Sequence, residues 1–372
     1  MSLPEYILIA VCAAYLLYLA GEKILARRCR SSFVHVIHVN GIRGKSSTVR
    51  LIDAGLRGGG VRVLSKSTGT LPMILHVDGR EEQIERRAPA NIREQLDMMR
   101  LARREKAQVL VLECMAIHPE GQRASEDMLR SDMAVITNVR PDHTDVMGET
   151  REEICASLLS MRPRKGDLFT GEADMVPRME KAMAGRGRVI PVRPRPEGYE
   201  GVPDFPENVA LALAVCRAAG VSEADALRGM AGVRKDPFAF ERIERGNTVA
   251  LNAFSANDPV STLRLYEEQR EQGRLILILN NRRDRPARAE DMSRLAARLP
   301  AAEIWVLGEQ RGLLKRLLQR SCPGTPVRVF ADPERAPLEF SERTVLLCAG
   351  NIKGAGEALT KRIRDWGREA EP

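Results

Sequence analysis

Aromatic side chains are scarce: Phe, Trp and Tyr make up 4% of the 372 residues, with only two tryptophans. A surface that stacks nucleic-acid bases has little to work with here, so nucleic acid is not an expected partner. The seven cysteines (Cys12, Cys29, Cys114, Cys155, Cys216, Cys322 and Cys348) contain no Cys-x-x-Cys pair and no metal-binding spacing. They read as reduced thiols of a cytoplasmic domain, which excludes a disulfide scaffold and a zinc ribbon. Low-complexity tracts and repeats are also missing. Positive charge is in excess: 58 Lys and Arg against 50 Asp and Glu, net +8. The excess is mostly arginine and is spread along the chain, as suits an acidic small substrate or an acidic polymer. A hydrophobic fraction of 44% is ample for buried cores, and the length allows two domains.

Only one long apolar run occurs. Residues Tyr6 to Gly21 carry no charge, Leu3 and Pro4 extend them, and Glu22, Lys23, Arg27, Arg28 and Arg30 follow. The run is near the lower limit of about 17–25 residues for a spanning helix. Its basic cluster follows the apolar stretch, whereas a cleaved signal peptide carries it before. The expectation is a single-pass anchor in the cell membrane, N-terminus outside and the rest cytoplasmic. A buried or interfacial helix is the alternative. Since the first strand begins near Phe33, the domain cores are not expected to need residues 1–30.

The chemistry centres on Asn40-Gly41-Ile42-Arg43-Gly44-Lys45-Ser46-Ser47. An apolar run at 33–39 reads as a buried strand before it, and Thr48 onward reads as a helix start. Strand, glycine loop, Lys-Ser and helix form the context of a phosphate-binding loop. The glycines let backbone N–H groups turn toward an anion, and the helix N-terminus favours negative charge. Lys45 is placed to reach the β- and γ-phosphates of a nucleotide, and Ser46 to ligate Mg²⁺. The loop is tighter than Gly-x-x-x-x-Gly-Lys-Ser, because Val39 stands where the first glycine would fall.

Downstream, strands are predicted at 61–64, 108–112, 133–137 and 167–170, and helices near 91–106, 152–161, 207–219 and 222–230. Residues 185–206 read as a loop and 232–246 as a linker. A second alternating set has strands at 248–252, 275–279, 303–307, 326–330 and 344–348, and helices near 259–272, 288–299, 312–320 and 355–366. Apolar runs alternating with helical patterns predict an α/β fold with parallel sheets in both halves. Ligands collect at the carboxyl edge of such sheets, where the loop, Glu113 and Asp142-His143 all fall. A carboxylate there can hold the nucleotide's metal, and His143 can hold a second metal or orient a water. Ser65-Lys66-Ser67-Thr68-Gly69-Thr70, after a strand end, suits phosphate or carboxylate binding. His35 and His38 read as structural.

These motifs together resemble the Mur ligase superfamily of ATP-dependent amide ligases. The resemblance rests on Gly41-x-x-Gly44-Lys45-Ser46-Ser47, on Glu113 after a strand, and on Asn138-x-x-x-Asp142-His143-x-Asp145. Glu207-Asn208 resembles the helix start that contacts adenosine. Arg242-x-Glu244 resembles the pair that meets the nucleotide between domains. Asn252 to Pro259 resembles the acid-x-Tyr-x-Ala-Asn-Pro stretch, with Asn252 where the family usually has Asp and Asn257 at the nucleotide-contacting Asn. Within the superfamily, Lys66-Ser67-Thr68-Gly69-Thr70, Glu113-Cys114-Met115-Ala116, Asn280 to Arg285 and Gly350-Asn351-Ile352-Lys353-Gly354 resemble the poly-γ-glutamate synthase ligase subunits. About 30 residues precede the loop, too few for the UDP-sugar-binding domain of the wall-building ligases.

The resemblance implies three regions: a membrane anchor at 1–30, a P-loop ATP-binding domain at 31–240 and a smaller Rossmann-like domain at 241–372. It implies ATP and Mg²⁺ as cofactors, and polymerisation of glutamate into poly-γ-glutamate through an acyl phosphate. It also implies closure of the second domain over the nucleotide and membrane subunits of a synthase or export complex as partners. Lys45, Glu113 and His143 are the implied catalytic residues, and Ser46, Glu113 and His143 the implied metal ligands. The nucleotide set is Gly41, Arg43, Gly44, Lys45, Ser46, Ser47, Asn208, Arg242 and Asn257. Thr68, Thr70, Arg282, Asp284 and Arg285 are substrate candidates, arginine being suited to bidentate carboxylate binding. Many superfamily members carry a carbamylated lysine, for which Lys165 is the candidate here. The alternatives are a folylpolyglutamate-like or other Mur-type ligase, and a membrane-attached NTPase that powers export.

Overall fold

The computed structural model describes all residues except 1, 70, 87–90, 196, 235–238, 257, 284–285 and 369–372. The chain divides into two compact units, Met1–Asp236 and Pro237–Pro372.

The first unit opens with a long helix, α1 (Leu3–Arg30), and then runs β1 (His35–Asn40), α2 (Lys45–Gly58), β2 (Val63–Ser67), β3 (Met73–Leu75) and β4 (Glu81–Gln83). It continues with α3 (Glu94–Arg104), β5 (Val109–Glu113), α4 (Pro119–Leu129), β6 (Met133–Ile136), α5 (Thr144–Met147) and α6 (Arg151–Leu158). β7 (Asp167–Thr170), α7 (Val176–Met183), β8 (Val189–Pro191), α8 (Pro206–Ala218) and α9 (Glu223–Ala231) complete it. The sheet order is β4-β3-β2-β5-β1-β6-β7-β8. β2, β5, β1, β6, β7 and β8 are parallel. The central strands β1, β2, β5 and β6 are buried almost throughout, as their near-continuous Val, Ile and Leu runs require when helices cover both faces.

Among the described residues, three apolar clusters hold this unit. Ile37, Val39 and Val111 pack with Leu56, Val215 and Met230 of α2, α8 and α9. Ile136 packs with Ile154, Leu158 and Met179 of α6 and α7. Leu64 and Leu110 pack with Met99 of α3, and also with Phe33 and Cys29. That last contact overturns the expectation that the cores do not need residues 1–30. Cys29 and Ala26 are buried and Leu25 packs against the same cluster, so the final turns of α1 belong to the core. Arg30 adds an ion pair to Asp132 at 2.5 Å and a hydrogen bond to the Arg130 carbonyl at 2.9 Å.

The second unit runs β9 (Glu241–Arg245), β10 (Thr248–Asn252), α10 (Pro259–Gln269), β11 (Arg274–Asn281), α11 (Pro286–Ala296) and β12 (Glu303–Gly308). α12 (Arg311–Ser321), β13 (Val327–Val329), β14 (Thr344–Gly350) and α13 (Ala355–Arg368) follow. The order is β13-β12-β11-β14-β10-β9, around a core of Phe254, Ile276, Trp305, Leu346 and Ile363.

Neither sheet is wholly parallel. β3 and β4 form an antiparallel meander from β2, and β9 pairs antiparallel with β10. β9 also occupies the stretch expected to be linker. β8 lies inside the expected 185–206 loop and is only three residues long.

Candidate active site

The carboxyl ends of β5, β1 and β6 lie side by side, with Val39 opposite Glu113 and Asn40 opposite Ile136. The loop between β1 and α2 turns on two glycines in the left-handed region, Gly41 (φ 127) and Gly44 (φ 77). A side chain at Gly41 would collide with Thr137, and one at Gly44 would come within 2.5 Å of Asn208 Oδ1. The end of β6 grips the loop from the other side. Thr137 Oγ1 and Asn138 Nδ2 donate to the Arg43 carbonyl at 2.6 and 2.9 Å, and Arg43 N donates to Asn138 Oδ1 at 3.1 Å. The end of β6 therefore fixes the backbone of the loop at Arg43.

Lys45 is the first residue of α2. Its ammonium donates to the loop carbonyls of Gly41 at 2.9 Å and Ile42 at 3.4 Å. Burial pushes its pKa below the usual lysine value, and the Glu113 carboxylate opposes that shift. Ser46 Oγ donates to Glu113 Oε2 at 2.7 Å, and Thr68 N donates to the same oxygen at 2.6 Å. Glu113 is buried at the end of β5, and the Gln95 amide of α3 donates to its backbone carbonyl at 3.3 Å. A serine hydroxyl on a buried carboxylate offers hard oxygen ligands, the donor set that Mg²⁺ takes at nucleotide sites. Ser47 is half-buried in the first turn of α2.

Asp142 forms an ion pair with Arg43 at 2.9 Å. His143 sits with φ 51 at the start of α5, its backbone N–H donating to Asp142 Oδ1 at 2.9 Å. Among the described residues, no group of three or more His, Cys, Asp or Glu converges as a metal site. Lys165, the carbamylation candidate, lies exposed in the turn that starts β7. That turn is at the amino edge of the sheet, the wrong end for the loop. Asn208, in the first turn of α8, is held by Asp204 at 2.7 Å and abuts Gly44.

Lys66 is not a free anion-binding cation. It is fully buried and donates to Glu94 at 2.7 Å; burial pushes its pKa down while Glu94 opposes the shift. In the second unit, Arg242 is paired with Glu271 and Glu244, both at 2.6 Å, and Arg343 bridges the same two carboxylates. Asn252 ends β10 and donates to Thr360 Oγ1 at 3.2 Å. The Asn280 and Asn351 motifs meet where β11 and β14 end: Asn351 N donates to the Asn280 carbonyl at 2.9 Å, and Asn280 Nδ2 to the Lys353 carbonyl at 3.0 Å. Arg282 is half-buried just past β11. Thr70, Asn257, Asp284 and Arg285 lie outside the described residues.

Gln95, Thr137 and Asp204 were not singled out from the sequence, although they brace the site. Gln95 could have been found: it is the polar residue in the buried stripe Gln95, Leu96, Met98, Met99, Ala102 of α3. Thr137 and Asp204 carry no pattern that separates them from ordinary polar residues.

The Mur ligase middle domain matches residues 39–165, and the poly-gamma-glutamate synthase CapB C-terminal domain matches residues 238–365. The chain is 30% identical to PGA synthase CapB of Bacillus subtilis (strain 168), over 97% of this chain and 98% of that protein. It is 30% identical to the capsule biosynthesis protein CapB of Bacillus anthracis, over 96% of this chain and 82% of that protein. Among solved structures, E. coli FolC in complex with ADP superposes with a TM-score of 0.71 at 18% identity, covering 96% of this chain and 98% of that one. The folylpolyglutamate synthase/dihydrofolate synthase of Yersinia pestis, complexed with AMPPNP and a Mn ion, superposes with a TM-score of 0.69 at 19% identity, covering 94% and 97%.

Proposed function

The chain belongs to the CapB family of poly-γ-glutamate synthases, ATP-dependent ligases with the Mur ligase fold, and on that footing we propose how its residues do the work. ATP binds on the β1–α2 loop with Mg²⁺. The γ-phosphoryl group passes to a glutamyl carboxylate, giving an acyl phosphate and ADP. The amine of an incoming glutamate then attacks the acyl carbon, releasing phosphate and a proton as the amide forms.

The observation that supports this reading is the convergence of Ser46 Oγ and Thr68 N on one buried oxygen of Glu113, next to Lys45. Two anions must meet in this reaction, and most of the catalytic task is charge neutralisation and positioning. Lys45 leaves the Gly41 carbonyl for the phosphates. Ser46 and Glu113 would hold the Mg²⁺, which would supply positive charge at the phosphates. Gly41, Arg43, Gly44 and Ser47 line the phosphates with N–H groups, and Asn208 and Asn257 serve the nucleotide's other end. His143 and Asp142 stand beside the acceptor carboxylate. We assign Thr68 and Thr70 in the first unit, and Arg282 and Arg285 in the second, to glutamate carboxylates, Asp284 to a glutamate ammonium, and Arg242 to the nucleotide.

α1 is long and apolar enough to cross a membrane by length and composition. We read it as a single-pass anchor that keeps the catalytic units cytoplasmic, beside membrane subunits that export the polymer. An anionic polymer cannot cross a bilayer unaided, since each charge is costly there.

The test is trapping. Protein with ATP, Mg²⁺ and glutamate in the presence of hydroxylamine should give a glutamyl hydroxamate, and Lys45→Ala should abolish both hydroxamate and phosphate release. Phosphate release that never yields hydroxamate would overturn the acyl-phosphate step and favour an NTPase.

A further inference from the structure

The placement of α1 against the first unit fixes more than an attachment point. The helix ends at Arg30, which is bound to the Arg130 carbonyl and to Asp132 just before β6 begins. That is the amino edge of the sheet. Eight residues earlier, Glu22 forms an ion pair with Arg93 at 2.9 Å. Arg93 also donates to Tyr18 Oη at 2.8 Å and lies 5.2 Å from the Tyr18 ring centroid. Arg93 directly precedes α3. Two residues on, Gln95 reaches the carbonyl of Glu113, so the start of α3 stands level with the carboxyl edge. From Glu22 to Arg30, α1 therefore descends the height of the sheet, about 12 Å at 1.5 Å per residue. It runs opposite to β1, and the tight turn at 31–34 reverses the chain.

Residues 3–21 consequently project past the carboxyl edge, not the amino edge. No face of them is buried: consecutive Tyr15, Leu16, Leu17 and Tyr18 are all exposed, and four consecutive residues cover the full circumference of a helix. Nineteen residues rise about 28 Å, close to the roughly 30 Å of a bilayer's hydrocarbon core. At the inner end of that stretch Tyr18 meets Glu22 of the same helix and Arg93 before α3, amphipathic and charged groups of the kind that settle at headgroups.

We propose that the corner where β2 and β5 end and α3 begins, the corner holding Thr68 and Glu113, lies against the lipid headgroups, with the amino edge of the sheet turned away from the bilayer. This rests on the anchor reading of α1. Synthesis then occurs at the membrane surface, and the anionic product leaves the site within reach of a membrane-embedded conduit without first crossing the cytoplasm.

The experiment uses the full chain, with Cys12→Ala removing the exposed native thiol. A fluorophore is attached at Glu85→Cys or Gln83→Cys, both exposed at the carboxyl-edge end of β4 or just past it, or at Arg104→Cys, exposed at the foot of α3. The variants are bound to phosphatidylcholine–phosphatidylglycerol vesicles carrying a headgroup nitroxide. Quenching should be several-fold greater at positions 83 and 85 than at position 104. Protein that does not float with vesicles overturns the anchor reading and this orientation with it. Protein that floats but is quenched equally at all positions, or more at position 104, leaves the anchor standing and overturns the orientation. ATP turnover by each labelled variant reports that it is folded.

Discussion

Glu113 accepts from Ser46 and Thr68 on a single oxygen, and this makes its charge testable apart from its shape. Glu113→Gln keeps the side chain's size and one acceptor oxygen but removes the negative charge. Turnover should fall by about 10²–10³, the usual cost of deleting one preorganised electrostatic group, and the Mg²⁺ concentration for half-activity should rise. A Mg²⁺ titration superimposable on wild type would make Glu113 a purely structural acid. His38 gives a second residue-scale prediction. Burial alone would lower its pKa, but hydrogen bonds with Cys114 and Glu126 outweigh burial and hold it up at about 9, against an ordinary 6.5. The fold favours the protonated ring, so its contribution is fully present below pH 6.5 and is lost as pH rises through about 9. Thermal melts should show stability falling across that window, with a shallower slope for His38→Gln. Equal slopes would remove His38 from the account. At this scale the sequence was legible where a strand end, or the loop after it, brings a residue to the carboxyl edge, as with Glu113 at the end of β5 and Lys45 at the start of α2. It was not legible for Lys66, whose partner Glu94 is 28 residues away. No local pattern distinguishes a lysine that grips a ligand from one that neutralises a buried glutamate.

At the scale of elements, the most instructive misreading is α1. Its polar-after-apolar pattern was readable as an anchor, but Cys29 and Ala26 sit among charges and carry no periodic apolar signal strong enough to mark a core face. A chain beginning at Ser31 should therefore be less stable than one beginning at Gly21 by about 2–5 kcal/mol, the cost of emptying buried side-chain sites. Urea midpoints compare the two directly, and equal midpoints would show that the last turns of α1 are dispensable. β9 was missed for a related reason. Glu-Arg-Ile-Glu-Arg alternates half-buried and exposed positions with charges on both, as suits an edge strand that must not pair with another chain. The loop after β1 was readable because its glycines have a mechanical task. Gly44→Ala imposes a left-handed conformation that costs a non-glycine residue about 1–2 kcal/mol and pushes a methyl group toward Asn208. ATP affinity should weaken at least about tenfold, measured by equilibrium binding. Unchanged affinity would mean that the loop conformation is not the one that binds phosphate.

The whole molecule is basic, with a net charge of +8, and it makes a polymer that gains one carboxylate with every residue added. A field summed over the protein attracts a charged partner in proportion to the partner's own charge. Free glutamate carries one net negative charge, so its binding should depend mainly on groups within hydrogen-bond reach. A long γ-glutamyl acceptor carries many charges and can lie along the arginine-rich surface well beyond the site. The two therefore respond differently to salt, because screening shortens the reach of the field from about 10 Å at 0.1 M to about 3 Å at 1 M. The half-saturating concentration of a long acceptor should rise steeply over that range. That of free glutamate should rise much less, and the maximal rate should change little for either. Initial rates at several ionic strengths, with acceptors of two lengths, measure this. If acceptor length makes no difference to the salt response, polymer capture is confined to the local site and the excess of positive charge has no part in it.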